Sequence, residues 1–307
     1  MLAANSPVRG AARTYRLGVV VAAFGLLLTA GVLAAAMAMV SVQPAPAHVV
    51  QIVGLRLAIP AANVSAIVLL TLATLGIAVV LASARGVVTA LRAQHRFLRV
   101  LPVTGDLASH ERVMVVADDR PHAFCAGLLR PRVYITTGAL EELSSAELDV
   151  VLAHEQVHRM RRDPLRIVTG RILGESLFFL PVLRRLTVHY CMLAELAADE
   201  HAVATNGGNS SALASAMLAF EGSRIAPERV DRLVGGHTFD WRVPVAVALT
   251  SALGVAGLAL LVWQLARHAV LQTTLGLPLL SAQPCIVVLA LVPLLSGAVG
   301  IWTTSRF

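Results

Sequence analysis

The chain has 307 residues, 57% of them hydrophobic and only 14% charged, with a mean hydropathy of +0.74. That balance excludes an ordinary soluble domain and places the chain among membrane proteins. The net charge is +7, and all acidic residues fall between positions 85 and 243. The excess arginines therefore lie in membrane-flanking segments, where they suit anionic lipid, and nucleic-acid binding is unsupported.

In chain order, residues 17–40 form an uninterrupted apolar stretch preceded by Arg9, Arg13 and Arg16, long enough to cross a bilayer. A signal peptide is the competing reading, although the stretch exceeds an ordinary hydrophobic signal region. Residues 41–60 read as a short linker with Pro44, Pro46, Pro60 and one charge, Arg56. A second span is expected at 61–84, closed by Arg85, after which the character changes and a folded polar domain occupies 85–243. Its strands are expected at 112–117, 123–126 and 132–136, between turn signals such as Asp118-Asp119-Arg120-Pro121. The segment near His122 to Gly127 has two readings. One is an edge strand that holds an extended substrate peptide through backbone hydrogen bonds; the other is a purely structural strand.

Residues 172–183 are apolar but short and contain Glu175, so they fit core or the membrane surface rather than a full span. Pro181 is placed to start the next helix, Asn206-Gly207-Gly208-Asn209 marks a loop, and 212–220 reads as another helix. A third span is expected at 244–265, a polar break at Arg267 and His268, and a fourth span at 283–303. The apolar run 270–280 is read either as an interfacial piece or as part of that last helix. With residues 1–16 in the cytoplasm, every arginine except Arg56 and Arg267 faces inward, as the positive-inside rule requires of those close to spans. The expected location is a multi-pass position in the cell membrane, with the 85–243 domain cytoplasmic. Cys125 and Cys191 would lie in that reducing compartment and Cys285 in the last span, so no disulfide framework is expected.

The chemistry is carried by His154-Glu155-Gln156-Val157-His158, an H-E-x-x-H sequence in a stretch of helical periodicity. Residues four apart share a helix face, so His154 and His158 can direct two imidazole nitrogens at one metal ion with Glu155 beside them. Zinc takes neutral nitrogen donors, and a carboxylate off the metal can take a proton from the attacking water. Ser144 followed by Glu147 has the form of a capping box, so the helix should start near Ser145; Asp163-Pro164 should end it and begin the next.

A catalytic zinc keeps three protein ligands and one open position. The short-spaced third histidine is excluded, because Arg161 and Pro164 stand where that pattern needs Gly and His. The other solution is a glutamate on a later helix with an aspartate one turn on that supports a ligand, and Glu195-Leu196-Ala197-Ala198-Asp199 fits it. Glu175, His189 and His201 are the alternatives for the third ligand. Cys191 is read as a small buried thiol rather than a ligand. Arg229 has two readings, an oxyanion stabiliser or the ion-pair partner of an acid.

Three stretches carry a family resemblance: Ala126-Gly127-Leu128-Leu129-Arg130-Pro131-Arg132-Val133-Tyr134-Ile135, the H-E-x-x-H helix with Arg161-Arg162-Asp163-Pro164 after it, and Glu195 to Asp199. Together they resemble the BlaR/MecR-type membrane zinc peptidases over about residues 85 to 240, and Ala226-Pro227-Glu228-Arg229-Val230-Asp231-Arg232-Leu233 is similar to the segment that closes the catalytic region there. A more distant likeness is to the HtpX and CAAX-prenyl-protease type. The resemblance implies one catalytic zinc on His154, His158 and Glu195, Glu155 as general base, and Asp199 supporting a ligand. Members that sense β-lactams carry a penicillin-binding domain after the last membrane helix. This sequence ends at Phe307 and contains no lysine, so the S-x-x-K signature of that sensor is not expected.

The expected fold is therefore an α-helical polytopic membrane protein with an inserted, mainly helical α+β zincin-like (gluzincin) domain. The expected function is that of a zinc metalloendopeptidase cleaving a cytoplasmic protein, with the resemblance pointing to a transcriptional repressor as partner. The alternatives are HtpX-like quality control of membrane proteins and a non-catalytic zinc-binding signal transducer. Nothing in the sequence gives the substrate's identity, the activating signal or the oligomeric state.

Overall fold

The computed structural model describes residues 7–39, 41–44, 48–52, 55–59, 64–107, 112–220, 244–267 and 270–273. The expected fourth span at 283–303 and the 226–233 segment with Arg229 lie outside these residues.

Two very long helices dominate the N-terminal third. Helix α1 covers Pro7–Met39, with proline at its first position, where the absent N–H leaves no bond unmade. Helix α2 covers Val64–Val100 and so continues beyond Arg85, the expected end of the second span. The reason is local: from Arg85 to Leu101 the chain has four Arg, three Leu and two Ala, all good helix formers, and no proline to stop it. Pro7–Gly31 and Thr74–Val100 are long and apolar enough to cross a membrane, yet only 11% and 6% of their most apolar windows are buried. The core helix of a soluble protein would bury most of that surface, so these two helices present it outward. A later helix, α8 (Val245–Arg267), overlaps the expected third span and contains a shorter apolar run, Val245–Leu261.

The stretch read as a linker contains strands. β1 (Ser41–Pro44) precedes a hairpin of β2 (His48–Ile52) and β3 (Leu55–Ile59), paired from His48 opposite Ile59 to Ile52 opposite Leu55. β1 also pairs in parallel with β8 (Val270–Thr273), the described part of the ambiguous 270–280 run.

The chain divides into two compact units. One contains residues 21–88, 172–182 and 244–307. Within it, the backbone N–H of Val182 donates to Ser251 Oγ on α8 at 3.2 Å.

The other unit contains residues 1–20, 89–171 and 183–243. Its sheet has the order β4-β5-β7-β6, with β4 at Val103–Asp106, β5 at Val113–Val116, β6 at Ala123–Ala126 and β7 at Arg132–Thr136. β5 and β7 run parallel, and β6 returns antiparallel along β7, with Cys125 opposite Val133. The β6–β7 turn needs Gly127, whose φ is +112° and where an added Cβ would lie 2.8 Å from the Arg130 carbonyl oxygen.

Helices follow in sequence: α3 (Thr137–Glu142), α4 (Ser145–Arg161), α5 (Asp163–Ser176), α6 (Val182–Thr205) and α7 (Ser210–Ala219). Alternation on β7 sends Val133 and Ile135 into a core with Val113, Val151, Leu152 and Ala216, which fixes α4 and α7 against one sheet face. On the other face Phe124 stacks on Tyr134 at 5.3 Å and meets the edge of Phe97 from α2 at 5.6 Å. Burying a side chain such as Ile135 contributes roughly 1.5–3 kcal/mol.

Candidate metal centre

Helix α4 is fixed at both ends. Ser144 Oγ accepts from the Glu147 N–H, and the Glu147 carboxylate accepts from the Ser144 N–H at 2.8 Å, completing the capping box. Such a cap stabilises a helix by about 1 kcal/mol. At the far end Arg162 takes the left-handed conformation, φ +54°, and donates its N–H to the His158 and Arg159 carbonyls. The chain reverses there, and α5 begins at Asp163 with Pro164 next.

His154 and His158 occupy successive turns of α4 and are both buried. Their Nε2 atoms face each other at 3.1 Å. Glu195, from α6, places Oε2 3.5 Å from His154 Nε2 and Oε1 3.6 Å from His158 Nε2. Bonds of about 2.0–2.1 Å at tetrahedral angles put two zinc donors roughly 3.3 Å apart. The observed separations bracket that value, so the donor set fits one ion. Among the described residues these three side chains form the His/Cys/Asp/Glu group close enough to hold a metal. The alternatives are not part of it: Glu175 and His201 are exposed, and His189 is half-buried on α6.

Each histidine is backed by an aspartate on its other ring nitrogen. Asp199 Oδ1 lies 2.9 Å from His154 Nδ1, off the line of a good hydrogen bond. Asp163 Oδ2 lies 2.8 Å from His158 Nδ1, and Tyr190 donates its hydroxyl hydrogen to Asp163 Oδ1. The first contact involves Asp199, read from the sequence as supporting a ligand. The second was missed, because Asp163 was read only as a helix cap; its signal was an acid five residues after the second histidine, just past the turn.

The charges are arranged for a cation. Burial disfavours the His154 imidazolium, but Asp199, Glu195 and Glu155 outweigh it and raise the His154 pKa to about 10. Burial alone would raise the Asp163 pKa, yet the bonds from His158 and Tyr190, with Arg161 nearby, hold its carboxyl below the usual range. The Cys125 thiol is pushed up to about 12 by burial and by the Glu155 and Asp163 carboxylates. Cys191 is likewise raised, chiefly by burial. Both cysteines are free thiols.

The site opens into a cleft of about 490 Å³. One wall is His122 with Ala123, Phe124 and Cys125 of β6, the floor carries His154, Glu155, His158 and Glu195, and apolar side chains of α5 and α7 close the rest. Among the described residues β6 pairs with β7 only, at the end of the sheet beside the cleft. The loop before β6 is pinned by Thr136, which donates to the Arg120 carbonyl at 2.7 Å and accepts from the His122 N–H at 2.9 Å. Gly138 permits this close approach, since a Cβ there would lie 2.1 Å from the Asp119 carbonyl oxygen.

The family described as BlaR1 peptidase M56 matches residues 19–229. The protease HtpX homolog 2 of Methanosarcina mazei is 33% identical over 88 residues, which are 28% of this chain and 30% of that protein. The chain thus spans less than a third of that relative's length. No solved structure matches.

Proposed function

Because the chain belongs to the BlaR1 peptidase M56 family, a family of membrane metallopeptidases, we propose that it is a zinc-dependent endopeptidase of the cell membrane whose catalytic unit faces the cytoplasm. The observation that carries this reading is the convergence of His154 Nε2, His158 Nε2 and the Glu195 carboxylate within 3.1–3.6 Å. These three would hold the ion, which when bound polarises the scissile carbonyl and makes the attacking water more acidic. Glu155 takes the water's proton on its carboxylate and returns it to the leaving amine. Asp163 and Asp199 keep the imidazoles oriented. The outer edge of β6 holds the substrate chain extended, with backbone groups of residues 123–126 as partners and the apolar wall of α7 receiving a side chain.

The distribution of arginines supports a multi-pass arrangement with the 85–243 region inside. A cytoplasmic repressor is then the substrate that the resemblance suggests. The partial likeness to an HtpX homologue favours a second reading, a protease acting on membrane proteins. Elemental analysis of the purified chain tests the common core of both: about one zinc per chain is expected, with loss in His154→Ala. A parent protein without bound zinc after purification in zinc-supplemented buffer would contradict it.

A further inference from the structure

We propose that Tyr190 is a positioning residue of the metal centre, acting through the Asp163 carboxylate on His158. The inference rests on His158 being a metal ligand. Tyr190 lies on α6 and is 2% exposed. Its phenol donates its hydrogen to Asp163 Oδ1. Asp163 Oδ2 is then committed to His158 Nδ1 at 2.8 Å. An acceptor there keeps the ring proton on Nδ1 and leaves the Nε2 lone pair facing His154 and Glu195.

Without the phenol, the other near partner of Oδ1 is Arg161 Nε at 3.7 Å, and the carboxylate can turn. The phenol itself is held by packing. Its ring lies 5.5 Å from that of Tyr15 on α1, among Ala11, Ala194 and Leu193, and Arg166 sits 5.2 Å over the Tyr15 ring. A donor fixed on both sides, two bonds behind a ligand, sets the direction from which that ligand meets the ion.

The test uses the full chain in detergent micelles. Zinc affinity is measured by chelator competition, and the visible absorption of the cobalt-substituted protein reports ligand geometry. Tyr190→Phe keeps the ring packing and removes the hydroxyl. It should weaken zinc binding about 10-fold, the low end for groups behind a ligand, and shift the cobalt band. Asp163→Asn should weaken binding about 10- to 100-fold, and adding Tyr190→Phe to it should cost nothing more. Tyr15→Phe should bind like the parent. Parent-like affinity and cobalt spectrum in Tyr190→Phe, or a full additional loss in the double variant, would overturn the proposal. An equal loss in Tyr15→Phe would do so as well. His158→Ala separates the two levels: zinc lost there but unaffected by Tyr190→Phe defeats the positioning role alone, whereas zinc retained there defeats the metal site and this proposal with it.

Discussion

Asp163 Oδ2 stands 2.8 Å from His158 Nδ1 although the two residues belong to different helices. The link depends on the left-handed Arg162 between them, which ends α4 one turn after the histidine and starts α5 on the acid. Across the site, Asp199 stands 2.9 Å from His154 Nδ1. Two imidazoles, each with a carboxylate on Nδ1, direct Nε2 at the same point.

The first prediction separates ligands from their supports. Glu195→Ala should abolish tight zinc retention, while Glu175→Ala should leave it at the parent level, because Glu175 is exposed outside the group. Asp199→Ala should lower affinity by about 10- to 100-fold. Chelator competition on the purified variants reads all three. Equal zinc content in Glu195→Ala and the parent would remove Glu195 from the site.

A second prediction concerns the loop that presents β6. A methyl group at Gly138 would meet the Asp119 carbonyl oxygen at 2.1 Å, a backbone atom that cannot swing away. Gly138→Ala should cost roughly 1–3 kcal/mol, the range for overpacking, seen as a lower melting temperature of the solubilised protein. Gly105→Ala, where a Cβ meets nothing within 4 Å, is the control and should melt nearer the parent.

Much of this unit was legible in the sequence because its signals are local. The capping box, Asp163-Pro164, the Asn-Gly-Gly-Asn loop and the strands at 123–126 and 132–136 each fix a few consecutive residues, and the structure has them there. Elements defined by what does not stop them were harder to bound. α2 runs on to Val100 because a hydropathy change ends a span but not a helix. The β2–β3 hairpin was hidden by the flanking prolines, although His48-Val49-Val50-Gln51-Ile52 and Leu55-Arg56-Leu57-Ala58-Ile59 are rich in strand formers. In the site, Glu195 and Asp199 were reached by a spacing rule. The Tyr190–Asp163 bond joins residues 27 apart and has no spacing to announce it.

A third prediction is topological. Cysteines introduced at Asn206, in the turn between α6 and α7, should be labelled only after the membrane is opened, while those at Arg267 should be labelled from outside. Labelling of Asn206 in intact cells would place the catalytic unit on the other side and remove any cytoplasmic substrate.

The most direct test of the peptidase chemistry is Glu155→Gln. The substitution nearly preserves shape and leaves His154, His158 and Glu195 in place, but removes the carboxylate proposed as the base. The measurement is cleavage of co-expressed cellular proteins by parent and variant, read by terminal-peptide proteomics alongside zinc content. Zinc should stay at the parent level in Glu155→Gln while the cleavage products disappear and uncleaved substrate accumulates on the protein. The same products at the same rate from the zinc-loaded variant would contradict Glu155 as the base and leave the non-catalytic transducer as the better account.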